Sequence, residues 1–284
     1  MPELEDYRGQ IPAWCPGCGN FQLLKAFKQA MVELGVEPHG LIVVSGIGQA
    51  GKLPHYTRCN TFNGLHGRTL PVATAIRLVN HGMPVIAEAG DGDCYGEGGN
   101  HFLHAMRRNI NVKLFVHDNQ IYGLTKGQAS PTSGQGMMTK TQPFGVLPEN
   151  LNPVALAVAM NASFVARGFT GDTDFLKELL KRAMEHRGFA LVDILQNCVV
   201  FNKINTSKWY KERVYHIKAD EHDPTDREAA FQLALEFGER IPTGVIYRND
   251  RPVFEDSLPV IATDPLVKQP YSIEDVAGEI QAFF

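Results

Sequence analysis

The sequence lacks the features that would tie it to a membrane, to export or to nucleic acid. Its 284 residues hold no apolar run near the roughly 18–20 that cross a bilayer. The opening stretch, MPELEDYRGQIPAWC, is polar and acidic where a secretory leader would be basic and then apolar. A formal net charge of −4 leaves no basic surplus for a phosphate backbone or an anionic membrane surface. Cysteine is sparse, at five residues. A cytoplasmic location is therefore expected, and there so few cysteines argue against a disulfide framework and for metal or redox work. There is no internal repeat, no Walker sequence, and no G-x-G-x-x-G opening a helix.

What is present is ordinary in bulk: 44% hydrophobic and 20% charged residues, enough for one large domain or two small ones. Residues 20–34 carry Phe21, Leu24, Phe27, Met31 and Leu34 on one helical stripe, and Gly35 suits its stop. Helices are also expected over 70–79, 100–107, 153–160 and 173–186, the last capped by Asp172 or Thr173. Apolar runs at 41–44, 84–89, 112–116, 163–166 and 189–195 read as strands. Strand and helix in alternation imply an α/β fold, a parallel sheet with helices on both faces. Residues 201–222 are polar with scattered aromatics and read as an extended loop. Thr225 to Glu228 forms a capping box for a helix through Phe237, and the proline-rich remainder reads as a surface arm. The expected division is a 1–200 α/β domain and a 201–284 C-terminal extension that packs on it or on a partner.

Two phrases carry the chemistry. An apolar run ends in Gly90-Asp91-Gly92, and another ends in Asp118-Asn119. In open α/β sheets, ligands bind beyond the carboxyl ends of strands. Mg²⁺ favours about six oxygen ligands and keeps phosphates among them. Asp91, the Asn119 amide and the Ile121 carbonyl would supply the protein's share, with glycine N–H groups approaching a diphosphate. Taken alone, Gly-Asp-Gly is also a common turn. Cys15-Pro16-Gly17-Cys18 lets one turn present two sulfurs, which suits zinc, a redox dithiol or an iron–sulfur cluster. No second C-x-x-C follows, against a four-cysteine zinc ribbon.

Together the strings WCPGCGN, VSGIG, LHGR, GDGD, GGNHFLHAMRRN, NQIYGLTKGQASPT and PTDREAAF resemble the β subunit of 2-oxoacid:ferredoxin oxidoreductases, from Trp14 to Phe231. The resemblance implies a thiamine-diphosphate-binding fold and the pyrophosphate half of a shared site. Asp91, Asn119 and Ile121 would hold Mg²⁺. Gly90, Gly92, Asp93, Gly123, Leu124 and Thr125 would line the diphosphate and thiazolium. Ile47 and Gly48 would pack on the cofactor. His66 would stand beside the diphosphate or the reacting centre; on the residues alone it reads first as a hydrogen-bonded structural histidine, and the motif match reverses that order. Lys52 and Lys126 match positions at the substrate end, where a cation would bind a carboxylate; each alone is a surface charge.

The resemblance further implies one [4Fe–4S] cluster on Cys15, Cys18 and Cys198. Family members commonly carry a cysteine after the Gly-Ile-Gly turn, where this chain has Gln49. Cys59, ten residues on, is therefore the expected fourth ligand, with Cys94 as its competitor. The implied activity is oxidative decarboxylation of a 2-oxoacid, with acyl transfer to coenzyme A and electrons to ferredoxin. GLTKGQ and the short two-subunit layout point to 2-oxoglutarate. The alternatives are pyruvate, or a non-oxidative thiamine-dependent decarboxylase or carboligase half. The acidic group that activates thiamine comes from the α subunit in this family. The working unit expected is therefore αβ or (αβ)2, with no nucleic acid and no membrane as partner.

Overall fold

The computed structural model describes residues 1–284, the side chain of Asp275 excepted. After an N-terminal segment comes α1 (Asn20–Glu33), ended by Gly35 at φ 67°, where Val36 N–H returns to the Met31 carbonyl at 3.0 Å. There follow β1 (Ile42–Ser45), β2 (Asn60–Asn63), α2 (Thr69–Val79), β3 (Val85–Gly90), α3 (Gly99–Arg108) and β4 (Lys113–Asp118). Next are α4 (Pro153–Ala159), β5 (Phe164–Phe169), α5 (Thr173–Glu185) and β6 (Ala190–Leu195). The chain closes with α6 (Ser207–Lys211), β7 (Val214–His216), α7 (Arg227–Leu235), β8 (Ile241–Arg248) and α8 (Ile273–Gln281).

These strands form one sheet in the order β2-β1-β3-β4-β6-β5-β8-β7. Every pair is parallel except β5–β8. Side chains alternate between faces, so each face has its own core. Val43, Ile86, Phe115 and Val192 pack with α1 and α5 on one side. Val44, Ala87, Leu114 and Leu191 pack with α2, α3, α4 and α7 on the other.

Three expectations are corrected. The stretch 201–222 is not one extended loop, since it contains α6 and β7. Beyond α7 the chain does not merely wrap: β8 enters the sheet antiparallel to β5 and carries β7 at its outer edge. The cap of α7 is Asp226, not Thr225, for its carboxylate accepts from the N–H groups of Glu228 and Ala229.

What matters for the site is that β3 and β4 are neighbours, with Gly90 paired to His117. Both strands end at the same edge, so Asp91 and Asn119 emerge side by side.

Candidate cofactor and metal site

The first strand end is a tight turn into helix. Residues Gly92–Glu97 form a wide helical turn that runs into α3. A Cβ on Gly92 would lie 2.2 Å from Cε1 of Tyr122, whose ring crosses the turn from the other strand end. The Tyr122 hydroxyl reaches the Gly92 carbonyl (3.1 Å) and Glu97 (3.0 Å). Only glycine admits that ring.

At the second strand end, the Asn119 amide oxygen accepts from Ile121 N–H at 3.0 Å, an Asx turn. Asp118 accepts from Gln120 N–H, and Gln120 takes the left-handed φ of 58° that this turn needs. Asn202 closes the loop by donating to the Asn119 carbonyl at 3.1 Å.

One cavity of about 60 Å³ lies between these ends. It is bordered by Ile47 and Gly48 from the turn after β1, His66 from the loop before α2, and Gly90 to Asp93 after β3. Gln49, Ala50, Asn119 and residues 121–125 complete it. A larger cleft of about 570 Å³ sits at the amino end of β5, beside Arg182, His186 and Arg248. It shares no residue with the strand-end cavity and lies at the opposite, amino end of the strands.

Asp91 is 1% exposed, and burial raises its carboxyl to about 6 against the pull of Ser130, Thr132 and the Gly92 N–H. Such a carboxylate either holds a proton or meets a cation. Asn119 and Ile121 border the same cavity, and their side-chain and main-chain oxygens with this carboxylate make a hard, oxygen-only donor set of the kind Mg²⁺ takes. Asp93 is differently used. Its Oδ1 accepts from Ile47 N–H (3.2 Å) and Gly67 N–H (2.8 Å), and its Oδ2 from the Thr69 hydroxyl (3.0 Å). It therefore ties the β1 turn and the His66 loop to the Gly-Asp-Gly turn. His66 Nδ1 lies 3.2 Å from both Asp93 and Glu97, close enough for charge attraction but poorly aligned for hydrogen bonding.

The N-terminal segment brings the cysteines alongside. Trp14 donates its indole N–H to the Gln49 carbonyl at 2.9 Å, and Ala13 N–H meets the Tyr56 hydroxyl at 3.1 Å. Cys18 N–H returns to the Cys15 carbonyl at 3.0 Å, with Gly17 at φ 81° in the turn. Cys15, Cys18 and Cys198 border one cavity, together with Gln49, Asn119 and Gly123, which also border the cofactor cavity. The Cys18 thiol is pushed up to about 11, chiefly by burial and then by the nearness of Cys198 and Cys15. A bound cation reverses that penalty, because ligated thiols give up their protons. Ligands of a single ion must meet at one point, and no three such side chains do so among the described residues. Cluster thiolates each take their own iron and stand farther apart.

Not every expected residue is brought in. Cys59 borders a separate cavity with Glu37, His39 and Arg58, and its thiol points to the Thr57 hydroxyl at 3.6 Å. Its expected place as fourth ligand is corrected accordingly. Cys94 is buried in the core behind the Gly-Asp-Gly turn. Lys52 and Lys126 border neither cavity; Lys126 is exposed, with its backbone at φ 79°.

Residues the sequence reading missed include Gln49, Ala50, Tyr122, Asp118 and Thr132. Beneath the cysteine cavity, the fully buried His117 lies 2.8 Å from Glu88 and 2.8 Å from Asn20, and burial raises Glu88. A histidine and a glutamate on one face of adjacent strands is a signal visible in the sequence, once the strands are paired.

The fold and site define an α/β thiamine-diphosphate-binding subunit. Residues 46–194 match the family model described as thiamine pyrophosphate enzyme, C-terminal TPP binding domain. Residues 198–263 match the family model for the C-terminal part of the pyruvate ferredoxin oxidoreductase beta subunit. The 2-oxoacid:ferredoxin oxidoreductase 2 subunit beta of Aeropyrum pernix is 45% identical over 265 residues, 89% of this chain and 86% of that one. The 2-oxoglutarate oxidoreductase subunit KorB of Mycobacterium tuberculosis is 45% identical over 189 residues, 66% of this chain and 51% of its own length. Among solved structures, the 2-oxoglutarate:ferredoxin oxidoreductase from Magnetococcus marinus, with 2-oxoglutarate, coenzyme A and succinyl-CoA bound, aligns with TM-score 0.90 and 37% identity. That alignment covers 99% of this chain and 96% of the other. The chain belongs to the family of 2-oxoacid:ferredoxin oxidoreductase beta subunits. Among the described residues, no helix is long and apolar enough to cross a membrane.

Proposed function

We propose that this β subunit, paired with an α subunit, oxidises 2-oxoglutarate to CO₂ and succinyl-CoA and passes the electrons through one [4Fe–4S] cluster to ferredoxin. The observation that carries this reading is the contact between the two cavities. Gln49, Asn119 and Gly123 border both, so a cofactor in one lies a single residue from the thiolates of the other. A thiamine decarboxylase without electron transfer has no need of that adjacency.

Asp91, Asn119 and the Ile121 carbonyl would hold Mg²⁺, and the glycines at 90, 92 and 123 leave room for a diphosphate against the main chain. Asp93 positions the Ile47 and His66 loops against it. Leu124 and Thr125 border the outer side. Bound there, thiamine diphosphate supplies the electron sink for decarboxylation. The choice of 2-oxoglutarate rests on the names of the KorB relatives and of the Magnetococcus enzyme. Lys52 and Lys126 remain the candidates for its distal carboxylate, although neither borders the cavity. The cytoplasm is the compartment proposed, in keeping with five free cysteines. We assign the thiamine-binding unit to 1–200 and the extension to 201–284.

The test is a steady-state assay of the co-expressed complex with coenzyme A and a one-electron acceptor, comparing 2-oxoglutarate with pyruvate. A preference for pyruvate overturns the substrate assignment. A colourless, iron-free complex overturns the electron path. Asp91→Ala should abolish Mg²⁺-dependent binding of thiamine diphosphate, and undiminished binding rejects the metal assignment.

A further inference from the structure

We infer that the cluster site proposed above, on whose existence this step rests, is held by three thiolates and the side-chain oxygen of Gln49. One iron is then bound less firmly than the rest.

The chain has five cysteines, and two are engaged elsewhere. Cys59 lies in its own cavity against Thr57, and Cys94 is packed in the core. That leaves Cys15, Cys18 and Cys198 around the cysteine cavity, with Gln49 as a further neighbour. The Gln49 main chain is fixed there by Trp14, the residue preceding Cys15, through the 2.9 Å indole bond. Its side-chain Oε1 is buried and has no hydrogen-bond partner among the described residues. A buried acceptor without a donor is costly, and a cation beside it removes the cost. Asn20 borders the same cavity, and its Nδ2 is likewise buried without an acceptor. As a donor it cannot ligate iron, but it can hydrogen-bond a sulfide. An acceptor without a donor and a donor without an acceptor at one cavity suit a group that offers both metal and sulfur.

An amide oxygen is neutral and hard, whereas iron–sulfur clusters are held by thiolates. The iron at Gln49 would therefore be the labile one, and Gln49 itself borders both cavities. Ferricyanide takes one electron from [4Fe–4S]²⁺ to give [4Fe–4S]³⁺. The Gln49–iron bond then breaks, Fe²⁺ leaves, and [3Fe–4S]⁺ stays on the three thiolates.

The experiment uses the anaerobically purified αβ complex, treated with one equivalent of ferricyanide, with iron analysis and EPR as readouts. The parent should lose one iron per cluster, show the signal of a three-iron cluster, and recover on addition of Fe²⁺ and dithionite. Gln49→Cys should keep all its iron and stay EPR-silent, while Cys59→Ser should behave as the parent. Should Gln49→Cys fail to accumulate, Gln49→Glu offers an anionic oxygen and should slow the loss. Full iron retention by the parent overturns the inference, as does lability that follows Cys59 and ignores Gln49. A parent with no iron at all instead rejects the cluster reading on which it rests.

Discussion

Thr132 and Asp91 are joined by a 2.8 Å hydrogen bond at the base of the cofactor cavity. The same hydroxyl lies 2.9 Å from Asp118, and its single proton serves one carboxylate at a time. Burial, reinforced by the charges of Asp193 and Asp91, holds Asp118 well above the usual carboxylate range. Burial thus favours the protonated form at Asp118 more than at Asp91, which leaves the hydroxyl proton to orient Asp91.

Thr132→Val removes that orienting donor and leaves the shape. Affinity of the αβ complex for Mg²⁺ and thiamine diphosphate should fall roughly tenfold, as for other partners that orient a metal ligand. Thr132→Ser should bind as the parent does. Titration by intrinsic fluorescence reads both, and an unchanged Thr132→Val rejects the orienting role.

Asp93 acts as a tie between loops. Replacing it by alanine strands the N–H groups of Ile47 and Gly67 and the Thr69 hydroxyl. Urea unfolding should show a loss of about 2–4 kcal/mol, given the usual cost of buried polar groups left without partners. Loss of cofactor binding without loss of stability would instead make Asp93 a direct ligand.

The Gly92–Tyr122 contact is testable by a double-mutant cycle. Gly92→Ala sets a methyl 2.2 Å from the Tyr122 ring, and overpacking of this kind costs about 1–3 kcal/mol. Tyr122→Ala vacates the space. The double variant should be more stable than the sum of the single changes predicts, and strict additivity would show that the ring is not what constrains Gly92.

Much of this was readable from sequence because periodicity reports burial. The stripe of α1 and its Gly35 stop, and the apolar runs of β3, β4 and β6, declared themselves. β2 did not, because all four of its residues are exposed at the sheet edge. β8 was hidden by Pro242 and Gly244, which read as breakers, although the strand is mostly buried between β5 and β7. Asp193 sits within an apolar run because Arg167 is its register partner on β5 and Tyr95 hydrogen-bonds it at 2.7 Å. At the site, motif strings located the strand ends. Which side chains turn inward depends on the left-handed Gln120 and the Asx turn at Asn119, which no repeat in the sequence encodes. Cys59 was expected as fourth ligand by residue type, with Cys94 as competitor, but the chain after the β1 turn carries it to a separate cavity beside Thr57.

His186, far from the cofactor, sets a pH dependence of a different kind. Burial first, and then the charge of Lys113, lower its imidazole from 6.5 to about 4, with Asp250 opposing. The ring lies 2.8 Å from the Ser163 hydroxyl and 5.4 Å from the Phe164 ring centre. With the folded value below the unfolded one, the unfolded chain binds the extra proton as pH falls. The stabilisation is complete above pH 6.5 and drains away as pH falls toward 4. The buried carboxylates Asp91 and Asp193, both raised to about 6, act in the opposite sense over part of the same range. The difference between parent and His186→Gln isolates the histidine, since the carboxylates are common to both. His186→Gln should lose less stability than the parent across that window in denaturant unfolding. Parallel curves would show that the imidazole is already neutral in both states, or charged in both.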